Sequence, residues 1–192
     1  MQSPVQVAPL TLEDYTRLYS QDGPFEILDG ERKTLVPPVM LHVITLQALF
    51  LILHQYCSQH ALGVVFSEAP FVLLDKQNWV RGSRVPDAMF VKQARWLQYQ
   101  QDQPEWRSKP LILVPDLVVE VVSPTDLYTD VQNKVAHYLA DGVQLIWVID
   151  PTQKSAVVYQ GDYFQTLTTE GTLDGGEVIP GLSVPLSEVF SA

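Results

Sequence analysis

This sequence lacks the features of disulfide-rich, collagen-like, low-complexity and disordered chains. It contains a single cysteine, Cys57, which excludes an intramolecular disulfide framework and a cysteine-rich zinc site. With 10 Gly and 14 Pro among 192 residues, the chain is neither collagen-like nor of low complexity. Its hydrophobic residues, 46% of the total, are too many for a disordered chain. The length predicts one domain over residues 1–192 that buries its core without disulfides or a structural metal.

The sequence also lacks a recognisable targeting or membrane-spanning segment. The first basic residue is Arg17, so the N-terminus lacks the charged region that opens a signal peptide. The most apolar stretch, residues 39–53, is interrupted by three polar residues and falls short of the ~20 apolar residues that span a bilayer. We therefore expect a soluble cytoplasmic protein with no membrane contact.

Positive charge is scarce, since 12 Lys and Arg are set against 22 Asp and Glu, a net charge of −10. Because Lys and Arg neutralise nucleic-acid phosphates, this balance argues against a nonspecific DNA coat. Residues 76–109 differ, with seven basic and three acidic side chains. A polyanion contact is expected from this stretch, and the alternative is an ordinary solvated surface. Its aromatic residues could stack on bases or contact a second copy of the chain; they are Trp79, Trp96, Tyr99 and Trp106.

Apolar residues at helical spacing predict three main helices, over residues 11–20, 39–60 and 127–141. Thr11 is the expected N-cap of the first helix, and Gly142 is the expected stop of the third. The second helix is apolar around most of its circumference, so we expect it to pack on two sides. Residues 93–109 lack a clean period and indicate a loop with some helix.

Short apolar runs predict a mixed central sheet with strands near residues 64–74, 85–91, 116–122 and 144–149. The last two strands flank the 127–141 helix, so we expect them to be parallel. Asp-Gly and Gly-Asp turns predict hairpins over residues 25–36 and 156–167 that extend or cap this sheet. The order of elements predicts an α/β fold.

Two carboxylates are placed unusually, inside apolar strands. Glu120 lies within the run Leu117–Val122, and Asp87 lies within Val85–Val91. A buried carboxylate must be paired, protonated or bound to a cation. Carboxylates on adjacent strands can share Mg²⁺, which takes only one or two such ligands from a protein. The alternative is that Glu120 lies at a strand end and reaches solvent or a basic partner.

A larger ordered set of residues resembles a known family. In chain order the set is Tyr15, FEILDG at 25–30, Pro38, His42, VPD at 85–87, PDLVVEVVSP at 115–124, Lys134, Tyr138, Gly142-Val143 and WVIDP at 147–151. This set is similar to the Uma-two family of bacterial endonucleases, in the PD-(D/E)XK, or restriction-endonuclease-like, superfamily. The resemblance covers about residues 10–190. It implies a restriction-endonuclease-like mixed central sheet flanked by helices, with added hairpins.

The resemblance also implies an activity and a metal site. The activity is Mg²⁺-dependent hydrolysis of phosphodiester bonds in DNA, with Mn²⁺ as a substitute cation. In the superfamily pattern, the Asp after Pro and the Glu of the following strand bind the metal, and an upstream acid assists. Carried onto this chain, Asp87 and Glu120 are the metal ligands. Glu26 is the expected upstream acid, and Glu68 is the competing candidate.

The superfamily lysine, two residues after the strand Glu, is missing here because Val122 occupies that position. The family pattern resembles one in which the lysine has moved to the next helix, where this chain has Lys134. Asp130, Lys134 and Tyr138 share one face of that helix at i, i+4 and i+8. If this face packs against the strand end, Lys134 reaches Glu120. The alternative is an ordinary helix salt bridge between Lys134 and Asp130.

These assignments predict a geometry. The Asp87 and Glu120 carboxylates should lie within ~4–6 Å of each other, close enough for one metal, with Glu26 or Glu68 beside the same cavity. At least one carboxyl pKa should be raised, unless Lys134 offsets the effect, because close carboxylates resist ionising together. The Lys134 ammonium should face this cavity.

Two other function classes stay open at this point. The first is a catalytically inactive nuclease-like fold that binds DNA or protein, or forms a homodimer. The second is an unrelated metal enzyme with a small substrate. A positive cleft at Asp87 favours the nuclease, and a negative cleft favours the alternatives. His42 is either a structural donor or a site residue, and Tyr138 either contacts a site carboxylate or packs.

Overall fold

This computed structural model describes residues 10–124 and 126–191, over which strands and helices alternate in a mixed α/β arrangement. In chain order the elements are β1 (Leu10–Thr11), α1 (Leu12–Asp22), β2 (Phe25–Leu28), β3 (Glu31–Thr34), α2 (Met40–Gln59), β4 (Gly63–Ser67), β5 (Phe71–Leu74), β6 (Trp79–Arg84), β7 (Ala88–Lys92), α3 (Gln93–Asp102), β8 (Leu117–Val121), α4 (Tyr128–Asp141), β9 (Leu145–Asp150), β10 (Ser155–Gln160), β11 (Tyr163–Leu167), β12 (Thr172–Asp174), β13 (Ser183–Pro185) and α5 (Leu186–Val189).

The central sheet has six strands in the order β11-β10-β9-β8-β7-β4. Strands β8 and β9 pair in parallel, and the other neighbours pair antiparallel. All five residues of β8 are buried, as expected for a strand with neighbours on both edges and both faces covered. The predicted parallel unit formed by β8, α4 and β9 is therefore confirmed, and the β10–β11 hairpin extends the sheet as expected.

A second sheet contains β1, β6, β2 and β3, with β5 also paired to β6. The prediction that residues 71–74 belong to the central sheet is therefore wrong, and the 25–36 hairpin joins this second sheet. Strand β6 was not expected, because polar residues fill its buried end. Ser83 accepts a hydrogen bond from the Ile27 amide at 3.0 Å, and Arg84 donates to the Ile27 carbonyl at 2.7 Å. These partners lie far away in sequence.

The local start and stop signals are confirmed. Thr11 caps α1 in a capping box, in which its hydroxyl accepts from the Asp14 amide at 3.1 Å and the Asp14 carboxylate accepts from the Thr11 amide. Gly142 ends α4 with a φ of 99°, a left-handed conformation that favours glycine because it has no Cβ.

Helix α2 packs on one face rather than the two expected. Its core-facing stripe includes Leu46, Leu49, Leu53 and Cys57, which join the largest hydrophobic cluster, whereas Met40 is 68% exposed. By length and composition this helix is apolar enough to cross a membrane, with a mean hydropathy of 1.4, but a core helix passes the same test. The expectation of no membrane contact therefore stays a prediction.

Residues 93–102 form a regular helix, α3, where a loop with some helix was expected. Trp96 lies at the centre of an aromatic cluster, with ring centroids 5.3 Å from Phe66, 5.6 Å from Tyr99 and 5.0 Å from Trp106. Trp96 and Tyr99 are buried. The suggestion that these two aromatics stack on bases or contact another copy is therefore wrong, since they pack inside the domain.

Candidate active site

The pairing of β7 with β8 brings Asp87 and Glu120 to the same edge of the central sheet. Ala88 lies opposite Val119 in the antiparallel register. Asp87, one residue before Ala88, therefore lies opposite Glu120, one residue after Val119. Asp87 precedes β7 rather than lying inside it, and its Oδ2 accepts a hydrogen bond from the Val121 amide at 2.6 Å. Both acidic side chains line one cavity of about 990 Å³.

Glu120 is held by two donors from α4. Lys134 Nζ lies 2.8 Å from Oε2, and the Tyr138 hydroxyl donates to Oε1 at 2.5 Å. Lys134 and Tyr138 are four residues apart and therefore share the helix face that covers β8. The ion pair of Lys134 is thus with Glu120, not with the exposed Asp130, and Tyr138 contacts a carboxylate in addition to packing.

Asp87 is held by one side chain and one backbone group. His42 Nε2 donates to Oδ1 at 3.2 Å, and the His42 side chain is only 9% exposed. Burial alone lowers the pKa of His42, but the hydrogen bond to Asp87 and the charges of Asp87 and Glu120 outweigh it, so the pKa is raised. His42 therefore lies at the site rather than elsewhere in the core.

The two candidates for the upstream acid both line the cavity. Glu26 is 2% exposed, and its Oε1 accepts from the Val85 amide at 2.9 Å. Glu68 is exposed, and its amide donates to the Asp87 carbonyl at 2.9 Å. Glu26 is close enough to Glu120 for its charge to raise the pKa of that carboxyl. Of the two, Glu26 is thus the acid that belongs to the buried charge cluster.

Burial raises the pKa of Glu120 to about 7, against the lowering effect of Lys134 and with a further increase from Asp87 and Glu26. The direction agrees with the expectation, but burial rather than the neighbouring carboxylate is the main cause. Burial alone would lower the pKa of Lys134, but the neighbouring Glu120 charge more than compensates and raises it. Burial also raises the pKa of Tyr138. Lys134 and Tyr138 therefore remain protonated donors at neutral pH.

The cavity is acidic. Among the described residues, only two lysines and no arginine line it, Lys33 and Lys134. Eight carboxylate side chains line it: Glu26, Asp29, Glu31, Glu68, Asp87, Glu120, Asp126 and Asp130. None of the seven basic residues in 76–109 lines it. Three of those residues form ion pairs elsewhere: Arg84 with Asp141, Arg95 with Asp116 and Lys109 with Glu105. Residues 76–109 therefore add no positive charge to the cavity beside Asp87, and this acidic cleft favours the alternatives to the nuclease by the criterion stated above.

The carboxylate oxygens of Asp87 and Glu120 are suitable ligands for a hard divalent cation. Each oxygen of Asp87 and Glu120 accepts one hydrogen bond, and a carboxylate oxygen has a further lone pair for a metal. Over residues 10–124 and 126–191, no group of three or more His, Cys, Asp or Glu is arranged around a metal position. Because Mg²⁺ is commonly held by one or two carboxylates and waters, the two acids fit such an ion.

His137 is a cavity residue that sequence reasoning missed, because a lone histidine on a helix gives no signal. Its Nε2 lies 3.3 Å from Asp29 Oδ2, at the turn between β2 and β3. The spacing of three residues from Lys134 puts it near the same helix face. The contact joins α4 to the hairpin across one wall of the cavity.

Comparison with known proteins shows which fold and which family this chain shares. A crystal structure at 1.96 Å of a "putative nuclease belonging to DUF820" from Anabaena variabilis ATCC 29413 superposes with a TM-score of 0.76, at 20% identity, over 95% of this chain and 98% of that one. This similarity shows the restriction-endonuclease-like fold. No curated protein matches the chain. The family model Uma2, "Putative restriction endonuclease", matches residues 12–187, and this protein therefore belongs to the Uma2 family.

Proposed function

We propose that this protein is a Mg²⁺-dependent endonuclease that hydrolyses phosphodiester bonds in DNA. One observation supports this function above the others: Lys134, from α4, pairs with the buried Glu120 at the sheet edge where Asp87 also lies. An ammonium is thereby brought to a pair of oxygen ligands although the strand itself has no lysine. A structural ion pair would not need the second carboxylate or the open cavity.

In this proposal Asp87 and Glu120 hold the cation, either Mg²⁺ or Mn²⁺, and Glu26 is the third acid beside it. The cation would neutralise charge on phosphoryl oxygens and lower the pKa of a water. Lys134 stays protonated despite its burial because Glu120 stabilises its charge. It therefore acts as a hydrogen-bond donor that orients water or stabilises the developing charge, and not as a general base.

The acidic wall gives the proposal a specific consequence. Eight carboxylates repel a phosphodiester backbone, so DNA should approach only after a cation has reduced this charge. We therefore expect DNA binding itself, and not only cleavage, to require the divalent ion.

A supercoiled-plasmid assay tests the function. The parent should nick or linearise the plasmid with Mg²⁺ or Mn²⁺ and should be inactive in EDTA. Asp87→Asn and Glu120→Gln should be inactive with both cations, because each removes one charged ligand. Lys154→Gln, a change of an exposed lysine outside both the cavity and residues 76–109, is the control and should cut like the parent. A folded parent that never cuts with either cation contradicts the proposal.

A second candidate is a catalytically inactive nuclease-like fold that forms a homodimer or binds another macromolecule. The acidic cavity favours it, and so do apolar side chains exposed beside the cavity, with Val36 at 74% and Met40 at 68%. Sedimentation of the parent and of Met40→Glu discriminates the two. A dimer that Met40→Glu dissociates, in a parent that cuts no DNA, favours the scaffold; a monomer that cuts DNA favours the nuclease.

A further inference from the structure

The carboxylate of Asp87 is fixed at both oxygens by groups from two different elements. Strand β8 supplies the Val121 amide to Oδ2 at 2.6 Å, and helix α2 supplies His42 Nε2 to Oδ1 at 3.2 Å. Two donors at two oxygens fix the rotation of the carboxylate about its Cβ–Cγ bond, whereas either donor alone would restrain it less.

The position of His42 is not explained by the stability of α2. His42 is the third residue of the helix, in a first turn without acidic residues. The positive end of a helix dipole favours acids there, and a histidine gains nothing from it. Its side chain is 9% exposed, so the imidazole has lost most of its hydration. Nδ1 is buried without a partner in the described part of the chain, which leaves Asp87 as the contact that compensates.

We propose that His42 is a positioning residue that orients the Asp87 carboxylate toward the cavity. The proposal rests on the function proposed above, in which Asp87 is a ligand of a divalent cation. Partners that hydrogen-bond to a metal-binding carboxylate fix its direction, and their loss typically lowers metal affinity or activity by about 10–100-fold. His42 would act through Asp87 and need not touch the cation or the DNA.

Three substitutions separate the donor from the rest of the side chain. His42→Gln places an amide N–H at about the distance from Cα that Nε2 has in histidine. His42→Asn also carries an amide, but its donor falls short and cannot reach Asp87 without a backbone shift. His42→Leu keeps an apolar side chain of similar size and has no donor. His54→Leu is the matched control, since His54 lies on the same helix, exposed and outside the cavity.

The first measurement is Mn²⁺ affinity by electron paramagnetic resonance, which needs no turnover. We expect His42→Leu and His42→Asn to bind Mn²⁺ about 10–100-fold more weakly than the parent, with His42→Gln and His54→Leu within about threefold. Plasmid cleavage should follow the same order. Should His42→Leu not fold, the comparison of His42→Gln with His42→Asn decides. Equal affinities for parent and His42→Leu, or for His42→Gln and His42→Asn, overturn the proposal.

The second measurement uses metal-free protein and separates this proposal from the proposed function. We expect the Asp87 carboxyl ¹³C shift and the Val121 amide proton shift to move in His42→Leu and to return in His42→Gln. If both shifts stay unchanged in His42→Leu, His42 does not position Asp87, whatever the protein does to DNA. If they move but the parent binds no Mn²⁺ and cuts no plasmid, the nuclease proposal fails while the positioning of Asp87 stands.

Discussion

Helix α4 contributes one residue to each of two ion pairs with a buried carboxylate, and the two pairs differ in what surrounds them. Lys134 meets Glu120 at 2.8 Å, and Asp141 meets Arg84 at 3.0 Å. In both pairs burial raises the pKa of the carboxyl. The Glu120 pair lines the cavity beside Asp87, whereas neither Arg84 nor Asp141 lines it.

A raised carboxyl pKa in an ion pair therefore does not by itself mark a functional site. Arg84 also donates to the Ile27 carbonyl, so its pair connects β2, β6 and α4 and serves the fold. Glu120 instead combines an ammonium, a phenol and a neighbouring carboxylate at an open cavity. We expect loss of the first pair to change stability and loss of the second to change activity.

Arg84→Met should give the largest effect. It leaves the Asp141 carboxylate buried without its partner, which typically lowers the free energy of unfolding by about 3–5 kcal/mol. Urea unfolding at pH 7 measures the loss, and Arg84→Met/Asp141→Leu should recover most of it. Lys109→Met, which breaks an exposed pair with Glu105, should change stability little. If Arg84→Met is as mild as Lys109→Met, the Arg84–Asp141 pair does not stabilise the fold as argued.

Lys134→Ala should instead lower activity much more than stability. Removing a group that stabilises charge in the transition state costs about 10²–10³ in rate, or about 3–4 kcal/mol. Ground-state metal binding should be largely unaffected, because the lost contact with Glu120 Oε2 is offset by removing a positive charge that repels the cation. Single-turnover cleavage and Mn²⁺ binding measure the two quantities, with Lys154→Gln as control. If Lys134→Ala cuts as fast as the parent, the lysine on the helix has no catalytic part and the inactive scaffold becomes the better proposal.

The pH dependence of stability tests the environment of the Glu120 carboxyl directly. Because burial raises the pKa of Glu120 from 4.5 to about 7, the folded protein holds a proton between these values that the unfolded chain has released. The free energy of unfolding should therefore fall as pH rises from about 4.5 to about 7, by on the order of 2–3 kcal/mol relative to Glu120→Gln. Urea titrations of both proteins at several pH values test this. Parallel curves would place the carboxyl pKa near its ordinary value.

Local signals made much of the fold predictable. A capping threonine, a Gly at the end of α4 and an apolar run in β8 each act within a few residues, and these elements appear where expected. Strand β6 could not be predicted, because its buried Ser83 and Arg84 are satisfied by Ile27, more than fifty residues away. Polar residues paired at such distances leave no local period.

The features of the candidate site were also predictable only where the signal was local. Asp87 and Glu120 could be predicted as site residues because acids are unusual in apolar strands. The helical spacing of Lys134 and Tyr138 predicted that they share one face. The charge of the cavity could not be predicted, because its carboxylates come from segments separated along the chain. Nor could the sequence show that Arg84, Arg95 and Lys109 are engaged in ion pairs away from it.

Tyr138→Phe should give the smallest effect, and it isolates one hydroxyl at the site. The ring is fully buried and packs near Phe71, with ring centroids 6.2 Å apart, and phenylalanine preserves that packing. What disappears is the donor to Glu120 Oε1, which leaves Lys134 as the one side-chain donor to Glu120 in the described part of the chain. A hydrogen bond to a charged group contributes about 1.5–3 kcal/mol, and the lower end is expected because Glu120 lines a cavity that water can enter.

Cleavage by Tyr138→Phe should therefore fall about tenfold, and Mn²⁺ affinity should fall by a similar factor, because a carboxylate held at one oxygen can rotate away from the cation. This joint loss distinguishes Tyr138 from Lys134, whose removal should affect the rate alone. It also distinguishes the cavity pair from the Arg84 pair, because the melting temperature should fall by only about 3–6 °C, less than after Arg84→Met. If rate and affinity both match the parent, the Tyr138 hydroxyl contributes only to packing, and Lys134 alone orients Glu120.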